Sequence, residues 1–142
     1  MPSLRYLTSH DYDAVIHLWQ QAGLKSVRPR GRDSRDAFAE QLTAGQRVIG
    51  LEDGNQLIGT VLVTHDARKG WINRLAIHPD YRRKGYGAQL IAAAERELRE
   101  MGFRIFAVLI EADNDASREL FAREGYRTND VVYMSKRESD DV

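Results

Sequence analysis

The sequence contains no cysteine, which excludes disulfides, thiolate zinc ligands and a cysteine nucleophile from the outset. It has only three prolines in 142 residues, and no repeat or low-complexity stretch interrupts it. It also lacks excess charge: 21 Lys and Arg balance 21 Asp and Glu. With no global field to gather nucleic acid or an anionic membrane surface, partners must be chosen locally. No apolar run approaches the roughly 20 residues of a membrane span, and Met1-Pro2-Ser3-Leu4-Arg5 carries no signal-peptide pattern. The expectation is a cytoplasmic protein that binds neither nucleic acid nor membrane. With 42% apolar residues, the chain can fill one core, a single domain over residues 1–137, followed by a frayed acidic tail at 138–142.

What is present alternates between two periodicities. Leu4 to Thr8 reads as a strand, and Ser9 and Asp11 offer capping oxygens for a helix from about Asp11 to Ala22 that Gly23 ends. Lys25 to Asp33 reads as an irregular basic loop, and Ser34 caps a second helix to about Ala44. Arg47–Glu52, Gln56–His65 and Lys69–His78 form three strands, joined by the tight Asp53-Gly54-Asn55 turn and a looser one at Asp66–Gly70, an antiparallel meander. Leu90, Ile91, Ala94, Leu98 and Met101 recur at helical spacing, with Glu95, Arg96, Glu97, Arg99 and Glu100 assigned to the wet side. Phe103 to Ile110 is an apolar run that predicts a strand buried on both faces and paired in parallel. A short helix at Asn114–Glu124 and a final strand at Val131–Lys136 follow. The sum is an α/β, or α+β layered, domain: a mixed, mostly antiparallel central sheet with helices on both faces and one parallel β-α-β crossover. An exposed sheet edge at the final strand would suit a homodimer.

The stretch from Leu75 to Gly87 organises the rest. It reads as a strand, a basic turn Arg82-Arg83-Lys84-Gly85-Tyr86-Gly87, and the start of the long helix. A helix that opens there leaves its first N–H groups without intrahelical acceptors and puts the positive end of its dipole at the same point. Glycines at 85 and 87 let a diphosphate approach the backbone, and three cations stand at the mouth. A P-loop needs Lys-Ser/Thr after its last glycine, but Ala88 and Gln89 stand there. The dinucleotide fingerprint needs a third small residue where Leu90 stands, although Glu111 lies at about the distance of its ribose contact.

Leu75-Ala76-Ile77-His78-Pro79 followed by Arg82 to Gly87 resembles the acyl-CoA-binding motif of the GNAT N-acetyltransferase superfamily. Asn114-Asp115-Ala116-Ser117 with Leu120-Phe121-Ala122-Arg123-Glu124-Gly125-Tyr126 resembles that family's second motif. The resemblance implies acetyl-CoA as acetyl donor, no metal, and a primary amine acceptor (small molecule, peptide N-terminus or lysine) that attacks the thioester directly in a ternary complex. It further implies that the pantetheine arm lies along the backbone of Leu75, Ala76 and Ile77, that the turn from Arg82 through Arg83, Lys84, Gly85 and Tyr86 to Gly87 holds the diphosphate, and that Asn114 and Ser117 reach the cofactor. As an alternative to cofactor contact, Asn114 is a helix N-cap.

An amine of pKa about 10.4 is almost wholly protonated at pH 7, so a base or a desolvating pocket is required. Glu111, at the end of the apolar strand, is the base candidate by location, with His78 and Asn73 behind it. The Ile77 N–H is the candidate oxyanion donor. Where many members of the resembled family carry a Tyr that protonates the departing thiolate, this sequence has Phe121; Tyr126 and Tyr133 are the substitutes. Phe121 and the absence of an unmistakable base leave a second reading open, a non-catalytic acyl-CoA-binding or sensory domain; the turn itself offers a third, a nucleotide module that binds ATP at Arg82–Gly87.

Overall fold

The computed structural model describes residues 1–142. Its elements are β1 (Ser3–Tyr6), α1 (Tyr12–Gln21), α2 (Arg35–Thr43), β2 (Arg47–Asp53), β3 (Gln56–His65), β4 (Gly70–Ile77), α3 (Tyr86–Glu100), β5 (Phe106–Val108) and α4 (Asp115–Arg123). The strands lie in the order β1-β2-β3-β4-β5, antiparallel up to β4, with β5 parallel to β4. Asp53 pairs with Gln56 across a two-residue turn in which Gly54 takes φ 63, the left-handed conformation that such hairpins require.

Alternation along the strands divides the core in two. Ile49 and Leu51 of β2, with Val61 and Val63 of β3, pack against Leu90, Ile91, Ala94 and Leu98 of α3 and Phe121 of α4. Val48 and Leu62, on the opposite sheet face, pack against Val15, Leu18 and Trp19 of α1 and Phe38 of α2. Burying each of the large aliphatic side chains of α3 stabilises the fold by about 2 kcal/mol, so the helix that begins at the basic turn is anchored along its length. Ser34 caps α2 by accepting from Ala37 N.

The structure corrects four sequence expectations. Glu97 is not on the wet side of α3: it is 6% exposed, and it accepts from Arg47 at 2.7 Å and from the Tyr6 hydroxyl. Glu95 is largely covered and accepts from the Tyr126 hydroxyl at 2.6 Å. Phe103–Ile110 shrinks to the three residues of β5, half-buried, with Ile105 and Leu109 exposed, because only one edge of β5 has a partner. Val131–Lys136 forms no strand, and Val131, Val132, Tyr133 and Met134 are exposed. The free sheet edges are therefore β1 and, on the side where the final strand was expected, β5. Residues 140–142 lie against the α1–α2 loop, where Arg28 and Arg32 donate to the carbonyls of Asp140 and Val142.

Gly70, at the start of β4, marks how closely α3 lies on the sheet. A Cβ there would stand 2.5 Å from both Cδ atoms of Leu98 and 2.8 Å from its Cγ. Since Leu98 is fully buried, its isobutyl group cannot swing into solvent. Gly70→Ala is expected to cost about 2 kcal/mol by overpacking and to lower the melting temperature by roughly 6 °C. A thermal melt within about 1 °C of the parent would refute the steric account.

Candidate active site

The site begins where β4 and β5 part. They pair only at Gly70–Phe106, Trp71–Ala107 and Ile72–Val108. Beyond those pairs β4 continues to Ile77 alone, because a bulge re-aims it. Thr60 of β3 pairs with Ala76 but Leu62 pairs with Asn73, so two β4 residues, Arg74 and Leu75, oppose Val61 alone. Arg74 takes φ 51 there, a left-handed conformation that costs a non-glycine residue about 1–2 kcal/mol. Its surroundings offset that cost. Trp19 Nε1 donates to Thr60 Oγ1 at 3.0 Å, Thr60 Oγ1 donates to the Arg74 carbonyl at 3.2 Å, and the guanidinium lies 5.0 Å from the Trp19 ring centre.

The bulge decides which backbone groups face the gap. His78 N–H donates to the Ile58 carbonyl of β3 at 2.8 Å. Because backbone groups alternate sides along a strand, Ala76 also faces β3, while the N–H and C=O of Leu75 and Ile77 point the other way, into the gap toward β5. Of the three strand residues expected to line the cofactor, the register gives Leu75 and Ile77 to the opening and Ala76 to the ladder.

At the far end of the gap stands the basic turn. Arg83 takes φ 61 and Gly85 takes φ 83, so the backbone turns left-handed twice just before α3, the kind of turn in which successive N–H groups converge on an anion. The first-turn N–H groups of α3 have no acceptor within the helix. Arg82, Arg83 and Lys84 are exposed at this mouth, and Arg82 also donates to the Ala22 carbonyl at 3.2 Å. The two glycines have different reasons. Nothing lies within 4 Å of a Cβ built on Gly85, whose positive φ requires glycine, whereas a Cβ on Gly87 would meet Leu120 Cδ2 of α4 at 2.7 Å. Gly87 therefore serves helix packing as well as any ligand.

Glu111 lies on the opposite lip. It and Leu75 are each three residues past the last β4–β5 pair, Val108 and Ile72. Glu111 is exposed, and its carboxylate has no hydrogen-bond or ion-pair partner. Asn114 caps α4 through its Oδ1, which accepts from Ser117 N at 3.2 Å; its side-chain NH2 and the Ser117 hydroxyl have no partner. The other base candidates are engaged locally: His78 Nδ1 accepts from Asp80 N, and the Asn73 amide donates to Thr64. Phe121 is 2% exposed and packs edge-on to Tyr126. The Tyr126 hydroxyl is given to Glu95, whose position in α3 is about 12 Å along the helix from Gly87. Burial and that carboxylate push its phenol far above the usual range. Tyr133 is exposed beyond α4. Leu75, Ile77 and Glu111 thus follow the point where β4 and β5 part, the basic turn opens α3 beside Leu120 of α4, the helix that Asn114 caps, and the Tyr126 hydroxyl is held by Glu95.

Sequence reasoning missed the residues that hold the α1–α2 loop over this opening. Arg74 donates to Asp33 Oδ2 at 2.8 Å and to Ser26 Oγ at 2.8 Å, and Lys25 pairs with Asp113 at 2.9 Å. One signal was available: Asn73-Arg74, two successive polar residues, breaks the period of an otherwise apolar strand, as a bulge does. No group of three or more His, Asp or Glu side chains is gathered to hold a metal, and no helix is long and apolar enough to cross a membrane. A groove of about 440 Å³ between β1, α2 and β2 is lined by none of the motif residues.

Against known proteins, the model of the acetyltransferase (GNAT) family matches residues 8–126. An acetyltransferase of Yersinia pestis (strain Pestoides F) is 27% identical over 134 residues, 94% of each chain. Among solved structures, the PaiA N-acetyltransferase from Thermoplasma acidophilum, in complex with coenzyme A, has a TM-score of 0.82 at 18% identity and 93% coverage of both chains. A predicted acetyltransferase from Clostridium acetobutylicum, solved with acetyl-CoA, has a TM-score of 0.78 at 16% identity and 96% coverage of both.

Proposed function

The chain belongs to the acetyltransferase (GNAT) family, and from that premise we propose that it transfers an acetyl group from acetyl-CoA to a primary amine by direct attack in a ternary complex. The observation that carries this reading is the β4–β5 gap, with the free backbone groups of Leu75 and Ile77 along one wall and the unpaired N–H groups of α3 at its end. A strand edge of this kind suits an amide-bearing arm, and the helix start suits a diphosphate. The fold neighbours crystallised with coenzyme A and acetyl-CoA support the donor.

Bound acetyl-CoA supplies an activated thioester; the remaining work falls to this chain. Leu75 and Ile77 would pair with the arm, Arg82, Arg83, Lys84 and the N–H groups from Gly85 to Gly87 would hold the diphosphate, and the free amide of Asn114 and the Ser117 hydroxyl would add contacts nearby. Glu111 would accept the proton of the incoming ammonium directly or through water. The Ile77 N–H would hold the oxygen on which negative charge develops. A thiol ionises near pKa 8.5, so its thiolate can depart without an acid, and the proposal leaves Tyr126 on Glu95. A cytoplasmic location is proposed with the donor, since acetyl-CoA is a metabolite of the cell interior. A homodimer is proposed through the bare β5 edge, and the exposed Val131 to Met134 are further apolar surface for it; sedimentation would test it.

The test is a thermal melt with acetyl-CoA, CoA or ATP-Mg²⁺, followed by thiol release with a panel of amines. Stabilisation by acetyl-CoA and CoA alone is expected. Glu111→Gln should lower kcat about 100-fold with KM for acetyl-CoA unchanged, while Tyr126→Phe should stay within about threefold, a change worth less than 1 kcal/mol. The reverse pattern would transfer the chemistry to Tyr126.

A further inference from the structure

We propose that the α1–α2 loop selects a carboxylate-bearing acceptor, with Arg28, Arg30 and Arg32 as the specificity-determining residues and residues 138–142 of the same chain seated on the loop as a competitor. The inference rests on the amine-transfer reading above and names the acceptor class for that site.

The loop stands over the reaction centre because three contacts hold it there: Arg82 to the Ala22 carbonyl, Arg74 to Ser26 and Asp33, and Lys25 to Asp113. Those contacts also account for the charges. Lys25 is paired with Asp113 and Arg74 with Asp33. Arg28 has no carboxylate within salt-bridge distance; its side chain donates to the carbonyls of Lys25, Val27 and Asp140. Arg32 donates to the carbonyls of Ser26 and Val142, and shares Asp33 only at 4.0 Å. Arg30 is exposed and has no partner. Three guanidiniums thus lie on the loop that these contacts hold, none within hydrogen-bonding distance of a side-chain carboxylate, and the Glu111 carboxylate is likewise without a partner. Within a Debye length of about 8 Å such an array attracts carboxylates, and guanidinium matches them bidentately.

The chain's own tail is a stand-in for the ligand. Residues 138–142 carry Glu138, Asp140 and Asp141, and the backbone of Asp141 and Val142 lies flush on Gly31: a Cβ there would collide with the Asp141 carbonyl oxygen and stand 2.8 Å from Val142 Cα. The side chains of the three acids make no ion pair, so the seat is held by the Asp140 carbonyl on Arg28, by a main-chain oxygen of Val142, the last residue, on Arg32, and by the general attraction of opposite charge. An acidic acceptor with side chains that reach the guanidiniums would displace it.

The experiment uses the full chain and measures thiol release at saturating acetyl-CoA with matched acceptors: glutamate against glutamine, and an Ala-Glu-Asp-Glu-Asp peptide against Ala-Gln-Asn-Gln-Asn and Ala-Lys-Lys-Lys-Lys. The expected result is kcat/KM at least tenfold higher for an acidic member than for its neutral partner; whether the amino acid or the peptide leads identifies the source of the carboxylates. Arg30→Glu should raise KM for the acidic acceptor about tenfold at unchanged kcat. Gly31→Ala and the triple variant Glu138→Gln/Asp140→Asn/Asp141→Asn should each lower that KM several-fold by unseating the tail. Melts with each peptide alone and with CoA read binding without turnover: saturable stabilisation by the acidic peptide supports the site even if no acceptor reacts. A preference for the neutral or Lys peptide in both assays, or an acidic preference that Arg30→Glu, Gly31→Ala and the triple variant all leave unmoved, would overturn the proposal. Loss of acetyl-CoA stabilisation in the parent chain would instead count against the amine-transfer reading.

Discussion

Asp33→Ala is expected to lower the melting temperature by about 10 °C, the equivalent of roughly 3 kcal/mol in a chain of this size. The reason is what it leaves behind. Asp33 and Arg74 form an ion pair whose side chains are only 8% and 13% exposed. Asp33 Oδ2 also accepts from the Arg28 N–H at 2.7 Å, so one carboxylate closes the loop on itself and onto the sheet. Burial draws the pKa of the Arg74 guanidinium down from its ordinary value against the opposing pull of Asp33. Removing the carboxylate strands a cation in a place it enters only with a partner, at a residue already held in a left-handed conformation. Arg74→Met in the same background should recover more than half of the loss, because the stranded charge is then gone. Acceptor KM should rise in the single variant as the loop loosens. A loss below about 1 kcal/mol, or a double variant no better than the single, would show that the pair is not what holds the loop.

That pair was not legible in the sequence, while much around it was. The meander, the long helix from the basic turn and the two motif segments follow from local signals: the spacing of Leu90, Ile91, Ala94 and Leu98, the Asp53-Gly54-Asn55 turn, and the caps at Ser34 and Asn114. Each is a property of neighbours in the chain. Asp33 and Arg74 are 41 residues apart, and their pairing depends on a bulge whose left-handed residue is an arginine, where composition offers no glycine to mark it. Glu97 failed for a related reason. Its wet-side assignment follows from helical spacing, but Arg47 and Tyr6 arrive from β2 and β1 to cover it. The apolar run at Phe103–Ile110 overstates β5 because the two strands part after Val108, and it is this parting that opens the site. Asn114 was legible as a cap, and the cap is formed; the same residue's free amide is what the proposed cofactor contact uses.

Gly85→Val is expected to raise KM for acetyl-CoA about 100-fold while costing the fold only about 2 kcal/mol. The two numbers separate because, its chain neighbours aside, no protein atom lies within 4 Å of a Cβ at this position. The stability cost is therefore the backbone's alone: a β-branched residue held at φ 83, as the N-cap of α3. The binding cost has another source. A diphosphate seated on the helix start gains charge-assisted hydrogen bonds from the first-turn N–H groups, each worth about 1.5–3 kcal/mol, and an isopropyl group in that open space, or a shift of φ to relieve the strain, removes one or two of them. Gly87→Ala is the internal comparison. Its methyl group meets Leu120 Cδ2, the end of a flexible side chain on α4, rather than the open mouth. It should lower the melting temperature by a few degrees, about 1 kcal/mol, and change KM little. Melts and initial rates on the two variants therefore distinguish a glycine that admits an anion from a glycine that admits a helix. If Gly87→Ala raises KM as far as Gly85→Val does, both positions line the diphosphate; if Gly85→Val leaves KM where it was, the anion is held by Arg82, Arg83 and Lys84 and not by the start of the helix.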